Sequence, residues 1–190
     1  MPALSAARTS RAGPLPADER RAMIISAATP LLVEHGEMVT TKQIAEAAGI
    51  AEGTIFRVFA DKDALIAAVV EHAVDQTALE EAFASIDAAL PLHERVEQAV
   101  VLLQRHVVDV WRLVSRVSAR FREHPPRRPP DSDALKTLLS SCELRTDPAL
   151  AARVLFGVVL AATHPMFVDE PMEPGEIVAL FLHGTAGGSC

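Results

Sequence analysis

Gly49 stands between two short apolar-patterned segments, 41–48 and 52–59, and the residues around it leave few folds open. Ala45 is small, as a residue must be where two helices cross closely. Gly49 follows four residues later, where a tight turn takes a positive φ that glycine adopts without cost. Ile55 comes six residues after that, spaced to pack back under the first segment. Ile44, Ala48, Ile50, Val58 and Phe59 supply the other inward positions. Two helices joined by a glycine turn make a helix-turn-helix. The second is held by its inner face while its N-terminal end projects, a shape suited to the major groove of DNA. Gly53 and Thr54 on that end are small enough for close backbone approach. Thr54 suits a phosphate or a thymine methyl, and Arg57 suits guanine or a phosphate. Lys62 opens the next helix, adding a charge and free backbone N–H groups toward a phosphate strand.

Helical periodicity dominates the rest of the 190 residues. A first helix runs from about residue 18, with Asp18 and Glu19 in its first turn, to Gly36 as its stop. Pro30 interrupts the pattern and predicts a kink or a lost hydrogen bond. Thr40 or Thr41 caps the helix 41–48. Asp61 caps a long helix predicted over 62–86. Segments 92–105 and 107–123 read as two helices, or as one with a bend. Residues 124–130 hold four prolines in seven and must be a loop; Arg127 and Arg128 lie in it. Ser132 caps 133–142, Asp147 caps 148–163 with Pro148 at the tolerated first position, and Pro174 opens 175–183. No repeat, heptad or strand pattern appears. The expected fold is all-α, with a three-helix helix-turn-helix unit at 18–62, a helical region at 63–190, and a disordered arm at 1–17 carrying Arg8 and Arg11.

Formal net charge is −7, but it is unevenly placed. Residues 1–62 carry seven Lys/Arg against seven Asp/Glu, and residues 63–190 carry 11 against 18. The acidity belongs to the second part, so it does not argue against nucleic acid at the first. Cys142 and Cys190 show no metal or redox spacing and read as a small buried residue and a terminal thiol. The N-terminus lacks the apolar stretch of a secretory signal, and the most apolar run, 154–168, is shorter than the roughly 20 residues of a membrane span. A cytoplasmic protein is expected. No metal-spaced His/Cys cluster, phosphate-cradling loop or nucleophile–base pair stands out among the seven scattered histidines, so no enzyme, metal or cofactor is expected.

The block IISAATPLLVEHG…TTKQIAEAAGIAEGTIFRVFADKDALI resembles the tetracycline-repressor-like (TetR) family of bacterial transcription regulators. Ile44, Ala45, Ala48, Gly49, Gly53, Thr54, Phe59, Lys62, Asp63 and Leu65 fit that family's pattern, over roughly residues 20–70. The resemblance implies DNA contacts from Thr40, Thr41, Lys42, Ala51, Glu52, Gly53, Thr54, Phe56, Arg57 and Lys62. Three positions depart from the pattern: Ala51 replaces a capping serine, Phe56 a tyrosine, and Val58 a histidine. Those losses define a competing reading, a helical ligand-binding or interaction protein with weakened DNA binding.

The resemblance also implies a homodimer on a palindromic operator, acting most often as a repressor and released by a small ligand in the second region. That region offers an apolar interior with few polar groups, His106, Trp111, Arg116 and His164, so an apolar or aromatic effector is expected there. Arg112, Arg116 and Arg120 recur every four residues and read as a solvated stripe. The two last apolar helices would expose a large patch in a monomer. Val154, Leu155, Val158, Val159, Ala162, Ile177, Leu180 and Phe181 are the expected dimer interface.

Overall fold

The computed structural model describes residues 16–121, 132–140, 144 and 146–184. The arm with Arg8 and Arg11, the Arg127–Arg128 loop, Cys142 and the tail with Cys190 lie outside the described residues. Within them the chain is all-α, in nine helices. α1 is Ala17–His35, α2 Thr41–Ala47, α3 Glu52–Val58, α4 Lys62–Val74 and α5 Thr77–Ala84. α6 is Leu92–Val114, α7 Asp133–Leu138, α8 Pro148–Thr163 and α9 Pro174–His183. Short 3-10 turns lie at Gly36–Met38 and Ala119–Phe121.

α1 runs unbroken through Pro30. The proline ring removes the N–H that Ser26 C=O would accept, but both residues are exposed, so water can replace it. The helix stops where Gly36 takes φ 58°.

The long helix expected over 62–86 is two helices. Asp75 turns extended, and its carboxylate accepts hydrogen bonds from the Thr77 N–H and hydroxyl. A short acid that bonds the backbone two residues on competes with helix continuation. In contrast, the two segments expected over 92–123 are one helix to Val114, since neither Gly nor Pro interrupts them. The helix expected to run to Cys142 stops at Leu138.

Two buried clusters hold the fold. The N-terminal one centres on Ile24, Ala28, Leu32, Ile44, Ile55 and Phe59, then continues through α4 as far as Val70. It also takes in Leu113 and Val117, at the end of α6 and just beyond. The C-terminal cluster sits between α5, α6, α7, α8 and α9, around Phe83, Val96, Leu103, Leu139, Leu155 and Ile177. α6 thus contributes to both.

Short α7 is gripped at each end. Glu80 of α5 accepts from Ala134 N–H at its start, and Ser132 Oγ accepts from Leu135 N–H. At its other end the Arg95 guanidinium, only 8% exposed, donates to Leu138 C=O. An acid at a helix N-terminus and a base at its C-terminus both complement the backbone dipole. That accounts for a buried arginine in an apolar core, although its Nε has no partner among the described residues.

Candidate nucleic-acid interface

The helix-turn-helix forms from the residues that predicted it. Thr40, rather than Thr41, caps α2: its hydroxyl accepts from Gln43 N–H, and Gln43 Oε1 accepts from Thr40 N–H. This reciprocal pair satisfies donors at both positions. At the turn, Gly49 has φ 65°, Ile50 N–H donates to Ala45 C=O and Gly49 N–H to Glu46 C=O. That is the αL closure a glycine makes easy. α3 then begins at Ala51 with no side-chain cap, as the missing serine implied.

α3 is held by Ile55, fully buried, and by Phe59 just after it. Glu52, Gly53, Phe56 and Arg57 are exposed, with Thr54 and Val58 half-buried. Phe56 presents 49% of its surface to solvent. A Cβ added to Gly53 would meet nothing within 4 Å. Thr40 and Lys42 also lie on the open side of α2, and Lys42 pairs with Glu46 at 4.0 Å. That pair is mostly exposed and holds little energy.

Three of the expected DNA contacts, Thr41, Glu52 and Lys62, are engaged between elements of the protein itself. Thr41 Oγ1 donates to Glu52 Oε1, tying the front of α2 to the front of α3. One carboxylate oxygen of Glu52 is thereby oriented and the other left to accept. Lys62 Nζ donates to Glu37 C=O, across the turn between α1 and α2. Its charge braces the start of α4 against that turn, where sequence reasoning had aimed it outward.

The expected effector residues are only partly gathered. Trp111 and His164 meet edge-on with ring centroids 4.4 Å apart, and Phe167 stands 6.0 Å beyond His164. His164 Nδ1 accepts from Met166 N–H. Between α6 and the chain after α8 runs an open groove of about 510 Å³, lined by Gln104, Arg105, Val108, Asp109, Arg112, Thr163, Met172 and Glu173, with neither the Trp111 nor the His164 ring in its wall. His106 lies half-buried further back along α6, and burial pushes its pKa down. Arg116 is elsewhere: its backbone carbonyl faces Gly36, and its side chain is exposed. The arginine stripe does not persist, because α6 ends at Val114 and Arg120 turns toward Asp63.

The expected dimer residues also divide. Leu155, Val159, Ala162 and Ile177 are in the chain's own core and are not available to a partner. Val158 and Phe181 are half-buried against that core, Leu180 is half-buried, and Val154 is 45% exposed. The open face of α8 also carries Leu150, Gly157 and Ala161, which sequence reasoning missed. With Val154 they recur at four, three and four residues. That signal is present in the sequence, but α8 is apolar nearly all round, so periodicity could not say which side faces inward.

Residues 24–69 match the family model described as bacterial regulatory proteins, tetR family. Among solved structures, a TetR/AcrR-family regulator from Thermobifida fusca YX-ER1 superposes with TM-score 0.60 at 23% identity, over 89% of this chain and all of that one. A TetR-family regulator from Mesorhizobium loti MAFF303099 gives 0.57 at 17%, over 89% and 98%. The TetR-like regulator LfrR from Mycobacterium smegmatis, solved in complex with proflavine, gives 0.53 at 19%, over 88% and 98%. At those identities the structures speak for the fold, while the family model speaks for the helix-turn-helix that fills its stretch. The helix-turn-helix unit therefore matches the tetR family of bacterial regulatory proteins, and the chain as described shares the fold of solved regulators of that family.

Proposed function

We propose that the protein is a homodimeric repressor that binds a palindromic operator through α3 and is released by a small apolar or aromatic effector. The observation that carries the reading is Gly53. A glycine inside an exposed helix costs about 0.5–1 kcal/mol relative to alanine. Here no neighbour needs the space, since an added Cβ would meet nothing. Close approach from outside supplies the reason, and Phe56 and Arg57 on the same exposed helix supply an apolar and a cationic contact for base edges and phosphate. DNA-binding function also puts the site of action in the cytoplasm.

The dimer reading rests on the α8 face of Leu150, Val154, Gly157 and Ala161. It is apolar apart from Arg153, and its two small residues allow a second helix to come near. Two copies would carry two recognition helices to two half-sites. The effector reading rests on the Trp111–His164 ring pair and, separately, on the groove between α6 and the chain after α8, with the proflavine complex of the LfrR regulator as a parallel.

The test is selection of duplexes from a random-sequence pool by wild type and Arg57→Ala. Enrichment of a two-fold symmetric site by wild type, weakened in the variant, supports the reading. No enrichment at low salt overturns it in favour of a ligand-binding protein that has lost DNA affinity. The engagement of Lys62 with Glu37 C=O gives that second reading its specific support.

A further inference from the structure

Five contacts converge on the turn Gly36–Met38 and the start of α4 from the segment just after α6. The carbonyl of Arg116 sits 2.9 Å from where a Gly36 Cβ would be. Ser118 N–H donates to Glu37 Oε1. Arg120 reaches Glu37 Oε2 at 3.3 Å and makes a two-pronged contact with Asp63, at 2.8 and 3.1 Å. From the other side Lys62 Nζ holds Glu37 C=O. The Arg120 guanidinium lies over the Phe121 ring, 4.5 Å from its centroid, which keeps the fork in place.

Arg120 stands 57 and 83 positions from its two acidic partners in sequence. One planar cation joins the α1–α2 turn, the α4 N-terminus and the 3-10 turn that follows the long helix α6. Planar two-pronged pairing fixes direction as well as distance, which a lysine point charge does not. The pairs are half-exposed, with Arg120 at 55%, Asp63 at 53% and Glu37 at 29% side-chain exposure, so they add little to global stability. Their geometric effect is of another kind, because they fix the helix-turn-helix to the segment that follows α6. Leu113, at the end of that helix, and Val117 beyond it pack into the N-terminal core, while the helix itself runs back into the C-terminal one.

We propose that Arg120, acting through Glu37 and Asp63, is a positioning residue for DNA binding. It locks the angle of the helix-turn-helix against α6 and so sets which half-site spacing two copies can engage together. The inference rests on the dimeric DNA-binding reading above, and the test separates the two.

Two variants are compared with wild type, Arg120→Met and Arg120→Lys, all in a Cys142→Ser, Cys190→Ser background. Spin labels at Ala47→Cys and Glu97→Cys, diluted with unlabelled protein, read the distance between α2 and α6 within one chain. Binding is then measured to the duplex selected by wild type and to duplexes with one base pair added or removed between half-sites. The expected result is a broader distance distribution in Arg120→Met, with Arg120→Lys between it and wild type. Preference for the native spacing should fall by about threefold or more in Arg120→Met, a size two exposed ion pairs can account for. An unchanged distance distribution overturns the proposal without reference to DNA. A broadened distribution with spacing preference intact overturns the link to half-site geometry. Failure of wild type to select any symmetric site overturns the dimeric reading and the spacing claim with it, while the distance data still report on the clamp.

Discussion

Gly53 lowers the stability of an exposed helix and receives no packing in return, and that pairing makes a sharp substitution test. Gly53→Ala should raise unfolding free energy by about 0.5–1 kcal/mol in a denaturant titration while weakening binding to the selected duplex. A variant that gains stability and binds as wild type would remove the main support for close DNA approach. Two titrating residues have signs that can be worked out. Ser118's backbone N–H, with Arg120 behind it, holds the Glu37 carboxyl below the usual carboxylate range. Its contribution is present above the unfolded carboxyl pKa and fades as pH falls through the lowered folded value. Burial lowers His106, so the unfolded chain takes up its proton first as pH drops below about 6.5. Stability should therefore be flat near pH 7 to 8 and decline on acidification, and His106→Gln should flatten the first part of that decline in thermal melts. At this scale the sequence told much about α3 and little about the joint. Gly53, Thr54 and Arg57 sit in one local pattern, whereas Glu37, Asp63 and Arg120 acquire meaning only when distant segments meet. Lys62 shows the limit most directly: its place at a helix start was legible, but the carbonyl that captures it belongs to the turn before α2.

Helix ends were legible wherever a short polar side chain or a glycine set them. Thr40, Asp61, Ser132 and Asp147 all cap as their positions implied, each accepting from the backbone N–H of the second or third residue of its helix. Thr40→Ala should lower stability by about 1 kcal/mol, read by chemical unfolding, because α2 would lose its reciprocal cap. A smaller loss would mean that α2 is held by packing of Ile44 and Ala45 alone. Breaks inside apolar patterns were not legible. Nothing in the hydrophobic spacing of 62–86 marks Asp75, since the break comes from its carboxylate accepting from the Thr77 N–H and hydroxyl. The face of α8 was ambiguous for the opposite reason. Its apolar residues serve two sides, one closed by α6 and one open, and only packing distinguishes them. Adjacent substitutions should therefore act differently. Leu155→Ala should cost about 2–5 kcal/mol in unfolding. Val154→Glu should leave the monomer's fold in place and shift sedimentation from dimer to monomer; a variant that still sediments as wild type would move the interface elsewhere.

As a whole, the molecule is two buried clusters sharing one long helix, with neutral charge where the recognition helix stands and acidity beyond it. The all-α architecture and the helix-turn-helix were readable from composition and from a single glycine-centred motif. How far the N-terminal cluster reaches was not, because Leu113 and Val117 enter it from some 40 residues past Val70. Arg57→Ala and Lys62→Ala should also part company at this scale. The first should weaken DNA binding with the fold intact, whereas the second should lower the melting temperature as well, since Glu37 C=O would lose its donor. Equal melting temperatures would mean the Lys62 brace carries no weight. The meeting of Gly36 with the Arg116 carbonyl bears on how such a regulator can change over generations. With φ at 58° and backbone where a side chain would go, that position admits almost no replacement. The Arg120 fork beside it is half-exposed, so replacing it costs the fold little even where it alters the joint. Inherited adjustment of the joint must therefore pass through the side chains around a fixed backbone pivot, and descendants can retune its stiffness one substitution at a time without rebuilding either core.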